Sequence, residues 1–221
     1  MPAAVPGRRH EPAPGCPPGT VLVPDDMDLH DYVHLLRDAA RASAISWGEP
    51  MNQGGHERAL HHLGIAVQDL QIIVSRLAGR LRLSAVSQPE SERTAQVAAV
   101  AASTRALGRA WLLLDEVLPA EAAPVYNDCV PADLLCFAAR RVAARWMPAT
   151  GLDEIAFSLA DAMAALETGT ACLALSAGHA QTARLTEVRD SLQLAGSQLR
   201  NALEPAAPAL PAPGRGPESP L

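Results

Sequence analysis

Residues 54–64 read GGHERALHHLG and contain the side chains that most resemble a metal-binding motif. A zinc hydrolase places two histidines four residues apart on a helix, with a glutamate between them as general base. Here His56 and His61 are five residues apart, which separates them by roughly 140° on a helix of about 100° per residue. The two imidazoles cannot reach one small cation from the same face. The motif therefore does not predict a zinc site.

The three histidines of this stretch are expected to have structural or solvent-facing positions. In the register of the apolar residues around them, His56 falls on the apolar stripe at the first turn of a helix. His61 and His62 fall on the outward flank, so we expect both of them to be solvated.

Two further pairs have the four-residue spacing that lets two ligands converge. His30 and His34 lie near the start of one predicted helix, and Glu57 and His61 lie near the start of the next. Antiparallel neighbours would keep the two pairs about 20 Å apart, from a rise of 1.5 Å per residue. We therefore assign no metal and no cofactor. A metal-binding protein or a metal-dependent enzyme that uses the His30–His62 region is kept as the alternative.

Other catalytic signatures are missing from the chain. It has no G-x-S-x-G, no P-loop, no G-x-G-x-x-G after a strand, and no paired Glu-x-x-His motifs of a di-iron bundle. Catalysis is unsupported by these residues, so the interpretation leans away from an enzyme and names no catalytic residue.

The composition favours helices and argues against nucleic acid. Of 221 residues, 48% are hydrophobic and only 3% aromatic, so the core must be filled by Leu, Val and Ala on closely packed helices. The net charge of -6 provides no field for a phosphate backbone. All basic side chains are Arg, with no Lys, which together with the Ala and Pro content is typical of a high-GC bacterial genome.

Neither end of the chain is expected to fold. Residues 1–24 and 205–221 are rich in Pro, Gly and Ala and have few large apolar side chains, so we predict disordered tails. The N-terminus has no apolar signal region, and no stretch approaches the roughly 18 uninterrupted apolar residues of a membrane span. We expect a cytoplasmic protein with no membrane partner.

Between the tails, apolar residues recur at alternating steps of three and four, which predicts amphipathic helices. Three such seams occur in the first half of the chain. They are Leu29, Val33, Leu36, Ala40, Ser43 and Trp47; then Leu60, Leu63, Val67, Leu70, Val74, Leu77 and Leu81; then Val97, Val100, Thr104, Leu107, Trp111, Leu114 and Leu118. Asp28, followed by Asp31, is a plausible cap for the first helix, and Pro119 stops the third.

The second half repeats this pattern. Shifts of 99, 96 and 88 residues lay the three segments on later ones, with Trp47 on Trp146, Gly55 on Gly151 and Gly108 on Gly196. Ala- and Leu-rich heptads also align by chance, but the Trp and Gly matches favour duplication. The prediction is an all-α antiparallel helical bundle of six helices. Unit 1 covers residues 25–118, a linker covers 119–132, and unit 2 covers 133–204. The sequence leaves open whether the units form one core or two.

The two units differ at four apolar positions of unit 1. Ile65 and Ile72 match Asp161 and Thr168, and Leu112 and Leu113 match Arg200 and Asn201. Apolar residues that only one copy carries are not needed for a shared internal core. They predict either a contact surface for another protein or a second copy, or a surface on which the two units pack together. We therefore expect a non-enzymatic protein that acts by protein–protein contact or self-association.

Overall fold

The computed structural model of the protein describes residues 27–84, 90–118, 131–148 and 150–203. Within those ranges the chain forms six α-helices and no strand. They are α1 (Leu29–Trp47), α2 (Gln53–Ser84), α3 (Glu90–Asp115), α4 (Pro131–Ala144), α5 (Leu152–Ser176) and α6 (His179–Asn201). The all-α prediction is confirmed. The two predicted tails and most of the linker lie outside the described residues.

The first helix begins at the predicted cap. The Asp28 carboxylate accepts a hydrogen bond from the Asp31 backbone N–H at 2.9 Å, and the Asp31 side chain accepts one from the Asp28 N–H at 3.4 Å. This reciprocal capping box satisfies two N–H groups that the first turn leaves without intrahelical partners. Gly48 ends the helix.

The helices are arranged in two layers of three. In one layer α2 lies between α4 and α3, and in the other α5 lies between α1 and α6. Across the layers α1 packs on α4, α2 on α5 and α3 on α6. The first helix thus packs mainly on two helices of the second half of the chain, and not on its sequence neighbour α2.

The directions of neighbouring helices differ in part from the prediction. The pairs α2–α3 and α5–α6 run antiparallel as expected: Gly64 lies beside Leu118, and Asp161 bonds Arg200. The pair α1–α5 runs parallel, because contacts to α1 advance along both helices together, from His34 with Glu154 to Arg41 with Asp161. The pair α2–α4 is also parallel. Since α1 docks on the distant half of the chain, the antiparallel rule for short connections does not apply to it.

One apolar core runs through all six helices. Every seam residue predicted for α1 and α2 is buried, whereas in α3 only alternate seam positions, Val100, Leu107 and Leu114, are fully buried. α3 lies at the end of its layer, where it contacts α2 and α6. One described helix, α3, is long and apolar enough to cross a membrane by length and composition, which is weak evidence because a core helix passes the same test.

Candidate functional site

The predicted contact residues divide between surface and core. Ile72 is 41% exposed and Leu112 is 61% exposed, while Ile65 is half-buried. Leu113 is only 7% exposed and belongs to the apolar core. Leu113 therefore stabilises the bundle and is not available to a second chain.

The three accessible residues come from adjacent helices. A Cβ atom at Gly108 of α3 would lie 2.9 Å from Gln71 Nε2 of α2, so the two helices approach closely at this level. Leu112 lies one turn after Gly108, and Ile72 directly follows Gln71. Ile65 and Ile72 are seven residues apart and so share one face of α2. Ile65, Ile72 and Leu112, the α2–α3 face, thus occupy the outside of one layer.

A buried histidine–aspartate pair joins α2 to α4. His62 Nε2 lies 2.7 Å from Asp133 Oδ1, and His62 Nδ1 donates to the Arg58 carbonyl at 2.7 Å. The two side chains are 8% and 5% exposed. Both ring nitrogens face oxygen atoms, and the Arg58 carbonyl can only accept. Both ring nitrogens of the buried His62 therefore have a hydrogen-bond partner, as a buried polar side chain requires.

The expectation that His62 is solvated was wrong. The periodicity of one apolar seam places His62 on the flank of α2, but α2 is covered on three sides by α3, α4 and α5. Its buried arc is therefore wider than a single seam, and His62 falls on the α4 side of it. The sequence signal that could have identified the pair is Asp133, an acidic residue that occupies a buried position in α4.

Two further titratable groups lie near this pair, and burial suppresses their reactivity. Burial, with smaller contributions from Asp133 and Asp69, raises the pKa of the Cys136 thiol to about 12, and Cys136 Sγ donates to the His62 carbonyl at 3.4 Å. Burial likewise raises the pKa of Asp69, and Arg140, whose Nε lies 3.9 Å away, opposes that shift. A protonated, buried thiol is a poor nucleophile. The cluster therefore connects two helices and is closed to a substrate.

Three further histidines also connect helices. His56 Nε2 donates to the Leu173 carbonyl at 3.0 Å, which connects the start of α2 to the end of α5. His34 Nε2 lies 3.3 Å from Glu154, and His30 packs against Gly151 at the start of α5. Within the described ranges, no three His, Cys, Asp or Glu side chains lie close enough together to hold a metal ion.

A feature that sequence reasoning missed lies at the end of α2 and α4. Trp146 is 95% exposed, although it matches Trp47, which is 4% exposed. Trp47 fits against Gly169, where a Cβ atom would lie 2.6 Å from its ring. The residue of α2 that matches Gly169 at the same 96-residue shift is Ile73, which is fully buried. We attribute the exposure of Trp146 to this difference, because α2 has a buried isoleucine at the position where α5 has a glycine.

Beside Trp146 there is a cavity of about 360 Å³. Its lining includes Arg76, Gly79, Arg80, Leu83, Arg145 and Trp146. Arg76 donates to the carbonyls of Ala143 and Arg145, and Arg80 donates to the Pro148 carbonyl at 3.1 Å. These bonds satisfy carbonyls at and beyond the end of α4, which have no partners within the helix.

No protein-family model, curated protein or solved structure matches the chain.

Proposed function

We propose that the protein acts by contact with another protein chain through the α2–α3 face, and that it is not an enzyme. The chain is a tandem duplication of a three-helix unit in this proposal, and the occupant of the face is a second copy of the chain. The same proposal assigns a cytoplasmic location and no role in binding nucleic acid or membranes.

The arrangement of helices supports the duplication. Exchanging α1 with α4, α2 with α5 and α3 with α6 leaves the set of neighbouring helix pairs unchanged. The parallel pair α1–α5 becomes the parallel pair α2–α4 under the same exchange. Two copies of one unit that pack around an approximate two-fold axis would give this pattern, and the layers would then be equivalent.

The outer faces of the two layers differ in chemistry at matched positions. On the outer face of the α1–α5–α6 layer, Asp161 accepts hydrogen bonds from Arg41 at 2.9 Å and from Arg200 at 3.2 Å. These bonds connect three helices and leave each charge with a partner. Such an ion network is stable when exposed to water.

The opposite layer has an apolar group where this network would be. Shifting by the same offsets, Ile65 takes the place of Asp161 and Leu112 takes the place of Arg200, while Arg140 takes the place of Arg41. Because Asp161 and Arg200 are in direct contact, the match puts Ile65 and Leu112 beside each other as well. This replacement of an ion pair by two large aliphatic side chains is the observation that carries the proposal.

The α2–α3 face of a second copy is a better partner for this face than the charged outer face of the α1–α5–α6 layer. An apolar group gains nothing from contact with a charged network, whose groups would lose water on burial. Two apolar faces can instead meet around a two-fold axis, each contributing the same residues. Burial of each large side chain stabilises such a contact by roughly 1.5–3 kcal/mol.

The test is to copy the charged layer onto the apolar one. The double variant Ile65→Asp with Leu112→Arg rebuilds the acid–base pair of the opposite face, so the fold should keep its melting temperature. Association should be lost. Leu175→Thr is the control, because Leu175 is 89% exposed on α5 and lies outside the α2–α3 face. Light scattering gives the mass, and thermal unfolding gives the stability.

Two results would overturn the proposal. A wild-type chain with the monomer mass of 23.2 kDa at all concentrations would refute self-association. A double variant that associates as well as the wild type would show that another surface is used. Firm binding of one Zn or Fe per chain, lost when His30, His34 or His61 becomes Ala, would support the metal-binding alternative.

A further inference from the structure

We propose that the cavity beside Trp146 binds an amphiphilic organic anion, with an apolar or aromatic body and a carboxylate, sulfonate or phosphate head. This inference concerns a different site and a different class of ligand from the proposed protein contact. It does not depend on that contact.

The charge of the lining selects the sign of the ligand. Three arginines line the cavity, and no Asp or Glu is among the described residues of its wall. Arg76 bonds two backbone carbonyls at the end of α4, and Arg145 lies over the Tyr32 ring at 4.8 Å; carbonyl dipoles and a ring face do not cancel a full charge. The end of a helix carries about half a negative charge. The guanidinium groups of Arg76 and Arg145 therefore give the described wall a positive potential, and arginine is well suited to a carboxylate or phosphate.

The apolar part of the lining selects the body of the ligand. Trp146 is 95% exposed and Leu83 is 71% exposed, and both line the same cavity. A tryptophan that is this exposed offers a large apolar ring to a ligand. A guanidinium group can also stack on an aromatic ring of the ligand.

The space available fits a small molecule. The cavity volume of about 360 Å³ lies at the lower end of the range of about 300–1,000 Å³ for ligand pockets. Gly79 contributes to this space, since a Cβ atom there would meet no other atom within 4 Å. The chain therefore leaves open a cavity whose walls combine positive charge with an exposed indole.

The experiment uses two dyes that share one aromatic body. Anilinonaphthalene sulfonate carries an anionic group, and phenylnaphthylamine is the same skeleton without it. We expect the sulfonate dye to bind the full chain at one site, at least tenfold more tightly than the neutral dye. Added salt should weaken only the sulfonate dye, because salt screens the arginine charges.

Two variants localise the dye. Trp146→Ala removes the exposed ring, and Gly79→Leu fills the cavity from a position where a side chain meets open space. Each should weaken binding of the sulfonate dye at least fivefold. Neither change removes a core contact, so the melting temperature should not fall. Leu175→Ala is the control, since it removes an equally exposed leucine of α5 from outside the cavity.

The opposite outcomes are distinct. Equal binding of the two dyes would show that the arginines do not recognise an anion. Unchanged binding in both variants would show that the dye occupies another surface. Either result overturns the proposal, while the mass measured by light scattering tests the protein contact separately.

Discussion

Replacing Gly169 with alanine tests whether Trp47 can pack in its buried position only because residue 169 has no side chain. A Cβ atom at position 169 would lie 2.6 Å from Trp47 Cε3 and 3.2 Å from the Ala44 Cα. The indole is rigid and the second contact is backbone, so neither can give way cheaply. Gly79 provides a matched control. It also lies inside a long helix, but a Cβ atom there meets nothing within 4 Å.

The expected energies follow from two opposing effects. Glycine to alanine in a helix interior stabilises by about 0.8–1 kcal/mol, and Gly79→Ala should show this gain alone. At Gly169 the same gain is offset by overpacking, which costs about 1–3 kcal/mol. Gly169→Ala should therefore destabilise the protein by about 1 kcal/mol. The two variants should differ by about 2 kcal/mol, or roughly 4–8 °C in melting temperature for a chain of this size.

Thermal unfolding of the two variants measures this difference, and tryptophan emission reports on the indole. Partial expulsion of Trp47 in Gly169→Ala should shift the emission to the red, because the ring becomes more hydrated. If both substitutions stabilise the protein equally and the emission is unchanged, the absence of a side chain at Gly169 does not determine how Trp47 packs. The explanation for the exposure of Trp146 would then be wrong too.

Three further predictions concern the buried polar cluster between α2 and α4. Asp133→Ala should cost about 1–3 kcal/mol by leaving the buried His62 Nε2 without this hydrogen-bond partner, and in a double-mutant cycle with His62→Ala the two substitutions together should cost much less than the sum of the single ones. Cys136, whose pKa is raised to about 12 by burial, should have about one thiol in ten thousand ionised at pH 8; peptide mass spectrometry after alkylation should find it labelled only in unfolded protein. Burial raises the pKa of Asp69 above its ordinary 3.8. The contribution of Asp69 to stability is therefore full below that value and is lost as pH rises through the folded-state pKa. Asp69→Asn should stabilise the protein at pH 7 but not at pH 3, which urea unfolding at the two pH values measures.

Periodicity alone predicted the helices and most of the core. Every predicted seam residue of α1 and α2 is buried. Apolar residues that recur at steps of three and four lie on one stripe of a helix, and that stripe can be read without knowing its neighbours. The cap at Asp28 was also predictable, since it depends only on residues three apart.

Partners across the fold could not be read in the same way. The sequence predicted that His62 is exposed, but the residue is buried by α4. Its partner there, Asp133, lies 71 residues away in the chain. The same reason applies to Leu113. The sequence predicted Leu112 and Leu113 as a pair of contact residues, but the packing of α3 buries Leu113 and leaves Leu112 exposed. The cavity at Trp146 was equally hidden, because its lining comes from the ends of α2 and α4, which are far apart in the sequence.

Site-specific photo-crosslinking of the purified chain tests the proposed contact most directly. A photoreactive phenylalanine analogue placed at Leu112, which is 61% exposed, lies on the α2–α3 face, and one placed at Leu175, which is 89% exposed, lies on the opposite layer. The proposed contact predicts a covalent product of twice the 23.2 kDa chain mass from the Leu112 position and little or none from the Leu175 position. No product from Leu112, or equal yields from the two positions, would contradict it.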